Sequence, residues 1–308
     1  MQKIPLIAVV GPTASGKTGL GIMLAEALNG EVVSADSMQI YKGISVASAA
    51  PNETEKRGIP HHLIEFLSLN DSFSVADYVN LAQQKISEIY SRCKQPILVG
   101  GTGLYVNSLI EGISFVETET DINLRREIEM EMEHEGAEKM LEKLAEFDPQ
   151  TAARLHPNNK RRIIRAFEVY RATGVTFSEQ NERSHTSPSP YNTTIIGLTF
   201  GEREQLYDRI NRRVDIMMQN GLLAESETTL NLTAGSGAAQ AIGHKELHKY
   251  LRGEISLDEA VELLKRETRR YAKRQLTWFR RNEKINWIYA DREEVFPRAM
   301  QIIKEADI

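Results

Sequence analysis

Residues Gly11, Pro12, Thr13, Ala14, Ser15, Gly16, Lys17 and Thr18 spell G-P-T-A-S-G-K-T, a match to G-x-x-x-x-G-K-[ST]. A loop with this spacing turns several backbone N–H groups toward one point and opens onto a helix N-terminus, a ready-made anion site. Lys17 adds a point charge for the terminal phosphates. The Thr18 hydroxyl is placed to ligate a magnesium ion. The chain is therefore expected to hold a di- or triphosphate. The motif alone leaves open whether that phosphate is transferred, hydrolysed or lost as a leaving group.

Other residues point to the same place. Asp36 begins Asp36-Ser37-Met38-Gln39-Ile40-Tyr41 after an apolar run. A carboxylate there can orient an acceptor or take its proton, or it can simply cap a helix. Gly100-Gly101-Thr102-Gly103 follows Ile97-Leu98-Val99. Phosphate-loop enzymes that cleave the β–γ bond usually want a metal-binding Asp near this point, and none is present. Glycines instead allow close backbone approach, and Thr102 offers a hydroxyl that donates or accepts. Arg209, Arg212 and Arg213 form a group, any of which could clamp phosphates. His61-His62 lacks the spacing that would complete a metal site, so metal ligation there is not expected. His244, in Ala241-Ile242-Gly243-His244-Lys245-Glu246, is a more plausible contact. Cys93 reads as a connector residue after a helix rather than a nucleophile.

These residues need elements to hold them. Ile4–Val10 reads as a buried strand and 17–28 as a helix. Glu31–Ala35 reads as a second strand, and 74–93 as a helix with Ser74 at its N-cap. Gln95–Gly100 is a third strand and Thr193–Phe200 a fourth. Strands alternating with helices imply an α/β fold, a P-loop NTPase-like parallel sheet flanked by helices. Ligands in such sheets collect beyond the carboxyl ends of the strands, where the loop, Asp36 and Thr102 all lie. From about 117 the texture becomes Glu-rich and helical, then basic at 158–172, then turn-rich at Ser184–Pro190. Two domains are expected: a catalytic core of 1–116 with 191–308, and an all-helical insertion of 117–190. Helices are expected at 202–219, 221–230 and 256–282, a loop at 234–243, and an edge strand at Asn286–Tyr289.

Bulk properties set limits. The chain has 308 residues, 41% hydrophobic and 26% charged, ordinary for a globular protein. One cysteine fits a reducing compartment, and the cytoplasm is expected. No secretory signal is visible, and no apolar stretch nears the roughly 20 residues that cross a bilayer. The net charge of −5 argues weakly against a polyanion partner, but the charge is uneven. Lys265, Arg266, Arg269, Arg270, Lys273, Arg274, Arg280, Arg281 and Lys284 cluster around Tyr271, Trp278 and Phe279. With the basic stretch at 160–171, this favours nucleic acid over a merely solvated face.

Taken together, the motifs resemble the tRNA dimethylallyltransferases. The matching pieces are Gly11–Thr18, Asp36–Tyr41, Pro60-His61-His62-Leu63 and Val99–Tyr105. Further matches are His156-Pro157-Asn158, Arg162, Arg165-Ala166, Glu168-Val169, Ala241-Ile242-Gly243 and Lys273–Arg280. They recur in family order over nearly the whole chain. The resemblance implies transfer of a dimethylallyl group from its diphosphate to the N6 amine of the adenosine 3′ of the anticodon. Diphosphate is then a leaving group, which accounts for the missing carboxylate. By the same resemblance, Ser15–Thr18 hold the diphosphate with magnesium on Thr18. Asp36 is the general base, Thr102 lies near the amine, and Arg213 is a further clamp, with Arg209 not excluded. Contacts to the tRNA anticodon stem-loop are implied at Asp36, Ser37, Met38, Gln39, Thr102 and Arg125. They are implied also at Arg161, Arg162, Ile163, Ile164 and Arg165, and at Gln240, Ala241, Ile242, Gly243, His244 and Lys245. The family commonly has Tyr where this chain has His244. A monomer is expected. Three rivals stand beside this reading: a small-molecule kinase using ATP, an isopentenyltransferase acting on free AMP or ADP, and a non-catalytic RNA-binding module.

Overall fold

Strand β1 (Ile4–Val10) is the middle of the fold because both its faces are covered. Leu6 through Val10 have no exposed surface, the burial expected of a strand inside a parallel sheet. The computed structural model describes residues 3–113, 121–184, 188–232 and 237–306. Around β1 the chain lays down helix α1 (Lys17–Ala27), β2 (Gly30–Ser34), the short helices α2 (Ser45–Ser48) and α3 (Glu53–Lys56), and β3 (His61–His62). Helix α4 (Val75–Ser91), β4 (Gln95–Gly100) and α5 (Gly103–Glu111) follow. Ser74 caps α4 in a reciprocal box with Asp77. After an inserted segment come β5 (Tyr191–Thr199), α11 (Arg203–Gln219), α12 (Leu222–Thr228) and a 3₁₀ turn, Ala238–Gln240. The chain closes with α13 (His244–Leu251), α14 (Leu257–Phe279), β6 (Ile285–Tyr289) and α15 (Val295–Glu305).

The strands form one sheet in the order β3-β2-β4-β1-β5-β6, each neighbour parallel to the next. Register decides where chemistry can happen. Val10 pairs with Gly100 on one side and Gly197 on the other, and Ser34 pairs with Val99. The loops leaving β1, β2 and β4 therefore emerge at one edge of the sheet. A core of Ile7, Val9, Leu20, Leu24, Ile97, Ile196, Ile302 and Ile303 welds α1 and α15 to the sheet.

The chain divides into two units: Met1–Ile110 with Pro190–Ile308, and Glu111–Ser189. The expected boundary at 117 lies outside the described residues, as do 185–187 of the turn-rich linker. The second unit is helical: α6 (Ile122–Glu135), α7 (Ala137–Phe147), α8 (Pro149–Arg154), α9 (Lys160–Thr173) and α10 (Phe177–Ser184). They close on Ile128, Met132, Met140, Leu144, Ile163, Ile164 and Phe167. The Asp148 carboxylate accepts from the Thr151 and Ser178 amides, which ties α8 to α10 and holds its pKa below the usual carboxylate range against the cost of burial.

Several elements were not anticipated. The two-residue β3 carries no strand pattern and exists through its pairing with Val32 and Val33. Helices α2 and α3 span one turn each. Helix α15 did carry a signal, with Val295, Ala299, Ile302 and Ile303 at helical spacing. The expected loop at 234–243 contains the Ala238–Gln240 turn, and its residues 234–236 lie outside the described residues.

Candidate active site

The loop after β1 is shaped by backbone requirements. Gly11 has φ +141°, and a Cβ there would stand 2.2 Å from the Leu198 carbonyl oxygen of β5. No other residue fits. Gly16 (φ +98°) then starts α1 without a side-chain cap, so the first-turn N–H groups are left for a ligand. The Ser15 hydroxyl is buried with no partner among the described residues. The Lys17 ammonium donates to the Pro12 carbonyl at 2.6 Å. Its pKa is pushed down to about 7, first by burial and then by the Arg213 cation, while Asp36 opposes the shift. Burial likewise lowers Arg213, again against Asp36. A buried hydroxyl, two crowded cations and a bare helix end together form a cradle short of negative charge.

Lys17 and Thr18 sit where two cavities meet. One, of about 300 Å³, is lined by Thr13, Asp36, Ser37, Met38, Gln39, Gly101, Arg213, Tyr271 and Gln275, among others. The other, of about 990 Å³, opens past Gly16, Ser45, Asn52, Arg209 and Arg212. Arg213 and Met217 line both. The arginines of α11 differ in their surroundings. Arg209 spends its Nε on the Ala14 carbonyl at 3.0 Å and lies 5.2 Å over the Phe200 ring. Arg213 stands in both cavities beside Lys17.

The far wall is built by the turns after β2 and β4. Asp36 Oδ1 accepts from the Met38 amide at 2.9 Å and the Gln39 amide at 3.4 Å. Oδ2 carries no hydrogen bond among the described residues, and Asp36 lines the cavity. Thr102 Oγ1 accepts from the Ser37 amide at 3.0 Å and donates to the Ser37 hydroxyl at 3.3 Å. A carboxylate with a free oxygen therefore shares one small cavity with the cationic cradle.

A family model described as IPP transferase matches residues 39–282. A tRNA dimethylallyltransferase of Acetivibrio thermocellus is 49% identical over 288 residues, covering 93% of this chain and 92% of that protein. The Bacillus subtilis enzyme of the same name is 49% identical over 286 residues, 92% of this chain and 90% of its own. The chain belongs to the tRNA dimethylallyltransferase family. The solved tRNA isopentenylpyrophosphate transferase of Bacillus halodurans superposes with TM-score 0.73 at 43% identity, over 99% of this chain and 98% of that one. A eukaryotic dimethylallyltransferase solved acting on tRNA gives TM-score 0.83 at 28% identity, over 99% and 79%. Membership disfavours the kinase reading.

The structure places several of the residues expected to touch tRNA inside the packed units. Ile163 and Ile164 are core residues of the helical unit, 0% and 7% exposed. Ala241 is buried among Ile40, Tyr41 and Ala238. His244 has no exposed surface: its Nε2 bonds Glu225 Oε1 at 3.0 Å. The Glu225 carboxylate also accepts from the Val46 and Ala47 amides at 2.8 and 2.9 Å. His244 is thus part of a buried brace between α12, α13 and α2. Replacing Glu225 with Ala strands three donors. It should cost about 2–4 kcal/mol of stability, read from urea unfolding. Lys245, Arg161 and Arg162 are exposed, whereas Arg125 and Arg165 both bond the buried Glu168. The side chain of Gln240 lies outside the described residues. His62 bonds Glu31 and His61 bonds the Ile59 carbonyl, and among the described residues no group of three His, Cys, Asp or Glu could hold a metal.

Sequence reasoning missed Tyr271 and Gln275 as site residues. By sequence Tyr271 groups with the aromatics of a nucleic-acid face. In the structure α14 turns Leu264, Thr268, Tyr271 and Gln275 into the smaller cavity. Arg266, Arg270 and Lys273 lie roughly half a turn away and are exposed. Tyr271 was legible only as an i, i+4 neighbour of Gln275.

Proposed function

We infer that the chain transfers a dimethylallyl group from dimethylallyl diphosphate to the N6 amine of the adenosine 3′ of the anticodon in tRNA. The observation that carries the reading is the shared cavity of Lys17, Arg213 and Asp36, with Thr102 holding the Ser37 amide of its wall. The diphosphate rests on the loop amides, the Ser15 hydroxyl, Lys17 and Arg213. As the allylic C–O bond breaks, its electrons go to diphosphate, and these groups stabilise the developing charge. The N6 lone pair forms the new C–N bond, and Asp36 Oδ2 takes the proton that N6 loses. Thr102 positions the Ser37 turn beside it. Adenine amines are poor nucleophiles because the lone pair is delocalised, so removal of the proton during attack assists the step. A magnesium ion fits the donor set: Thr18 would hold it, with phosphate oxygens and water completing its shell, and it would supply further charge neutralisation at the leaving group.

The base leaves the anticodon-loop stack to enter the smaller cavity, which loop bases do at low cost. Exposed Arg161, Arg162 and Lys245 supply phosphate contacts, and the Asp36–Gln39 turn meets the adenosine. No helix among the described residues is long and apolar enough to cross a membrane. The working state is a cytoplasmic monomer, in keeping with a tRNA substrate.

Incubation with labelled dimethylallyl diphosphate and unmodified tRNA should place label on the tRNA with one diphosphate released per transfer. Absence of label on RNA, together with ATP turnover on a metabolite, overturns the reading. Equal transfer to AMP in competition with tRNA would favour the free-nucleotide rival.

A further inference from the structure

We propose that Gln275 is a positioning residue that locks the diphosphate half of the site to the amine half. This rests on the reaction inferred above. Gln275 is buried, and both ends of its carboxamide are used. Its Oε1 accepts from the Thr13 amide in the phosphate loop at 2.8 Å. Its Nε2 donates to the Gly101 carbonyl at 2.9 Å. The orientation is forced, since Thr13 offers only an N–H and Gly101 only a C=O. Gly101 is shaped to admit it: a Cβ there would stand 2.2 Å from Nε2.

The next residue, Thr102, holds the Ser37 amide beside Asp36. One side chain from α14 therefore joins the loop after β1 to the turn after β4, and through that turn to Asp36. The two halves belong to different strands, and the reacting carbon must lie between them. Displacement there needs the leaving oxygen and the attacking nitrogen placed to within a fraction of an ångström. Glutamate keeps an acceptor for Thr13 but sets a carboxylate against the Gly101 carbonyl. Methionine fills the space and makes neither bond.

A loosened bridge has a chemical signature beyond lost speed. The C–O bond still breaks toward diphosphate, but water attacks in place of a misplaced amine. The products are dimethylallyl alcohol, diphosphate and a proton. For Gln275→Glu and Gln275→Met, kcat should fall at least about tenfold while the KM for dimethylallyl diphosphate stays within about threefold. The ratio of diphosphate released to prenyl groups on tRNA should rise above one. Gly101→Ala, which displaces Gln275 without changing its chemistry, should raise the same ratio and serves if either Gln275 variant fails to fold. A ratio that stays at one in every folded variant, whatever the rate, overturns the proposal. Failure of the inferred reaction itself would look different, because wild-type protein would then leave tRNA unlabelled.

Discussion

Replacing Asp36 with Asn should lower the single-turnover rate of prenyl transfer by about 10²–10⁴-fold, the span of general-base contributions. The substitution isolates chemistry from structure. Both amides that Asp36 receives, from Met38 and Gln39, fall on Oδ1. An asparagine carbonyl accepts them equally well, so the turn after β2 should persist. What is lost is the basic oxygen proposed to take the N6 proton. tRNA affinity, measured by filter binding, should change by no more than about threefold, because Asp36 contributes no phosphate contact. A variant within about tenfold of the wild-type rate would remove Asp36 from the chemistry. A non-catalytic RNA-binding module would show no loss that matters biologically.

Replacing Lys17 with Met should have the second large effect, lowering kcat/KM for dimethylallyl diphosphate by about 10²–10³-fold. Stability should move the other way. Burial and Arg213 hold the folded-state pKa of Lys17 at about 7, below its ordinary 10.5. The folded, empty protein therefore disfavours the charged form, and Lys17 detracts from stability at every pH below about 10.5. That penalty grows as pH falls from 10.5 to about 7 and is constant below. Met removes it, so thermal melting of the ligand-free variant near pH 7 should occur no lower than in wild type. The same value sets a pH profile. Diphosphate binding requires the cation, so kcat/KM should decline tenfold per pH unit above about 7 in wild type. That Lys17-dependent limb should vanish in the Met variant. An unchanged dissociation constant for the diphosphate, or a profile with the same limb in the variant, would refute the role of Lys17.

Local structure is legible in the sequence where a few adjacent residues dictate the backbone. The run Ile4–Val10, the glycines of the loop and the first turns of α1 lie within 28 residues of the start, and each restricts the next. The Ser74 cap with Asp77 was equally local. Long-range placements were read poorly. Gln275 meets partners 262 and 174 positions away, and nothing near it in the chain marks that bridge. The basic character of α14 was plain. Which of its faces entered the cavity was not.

The sequence by itself determined a glycine-rich loop between a strand and a helix on a parallel α/β sheet, an acidic residue and a Thr turn at the same sheet edge, and the family to which their order belongs. These follow from short-range geometry, where a glycine or a strand end leaves the backbone few conformations. Only the tertiary structure decided which side chains of each helix line the cavities. It turned Arg213 rather than Arg209 to both cavities, brought Gln275 between the two half-sites, and buried His244, Ile163 and Ile164. The physical reason is that a helix's own sequence leaves its rotation about its axis open. That rotation is settled by the apolar partners it packs against, and those are supplied by distant parts of the chain.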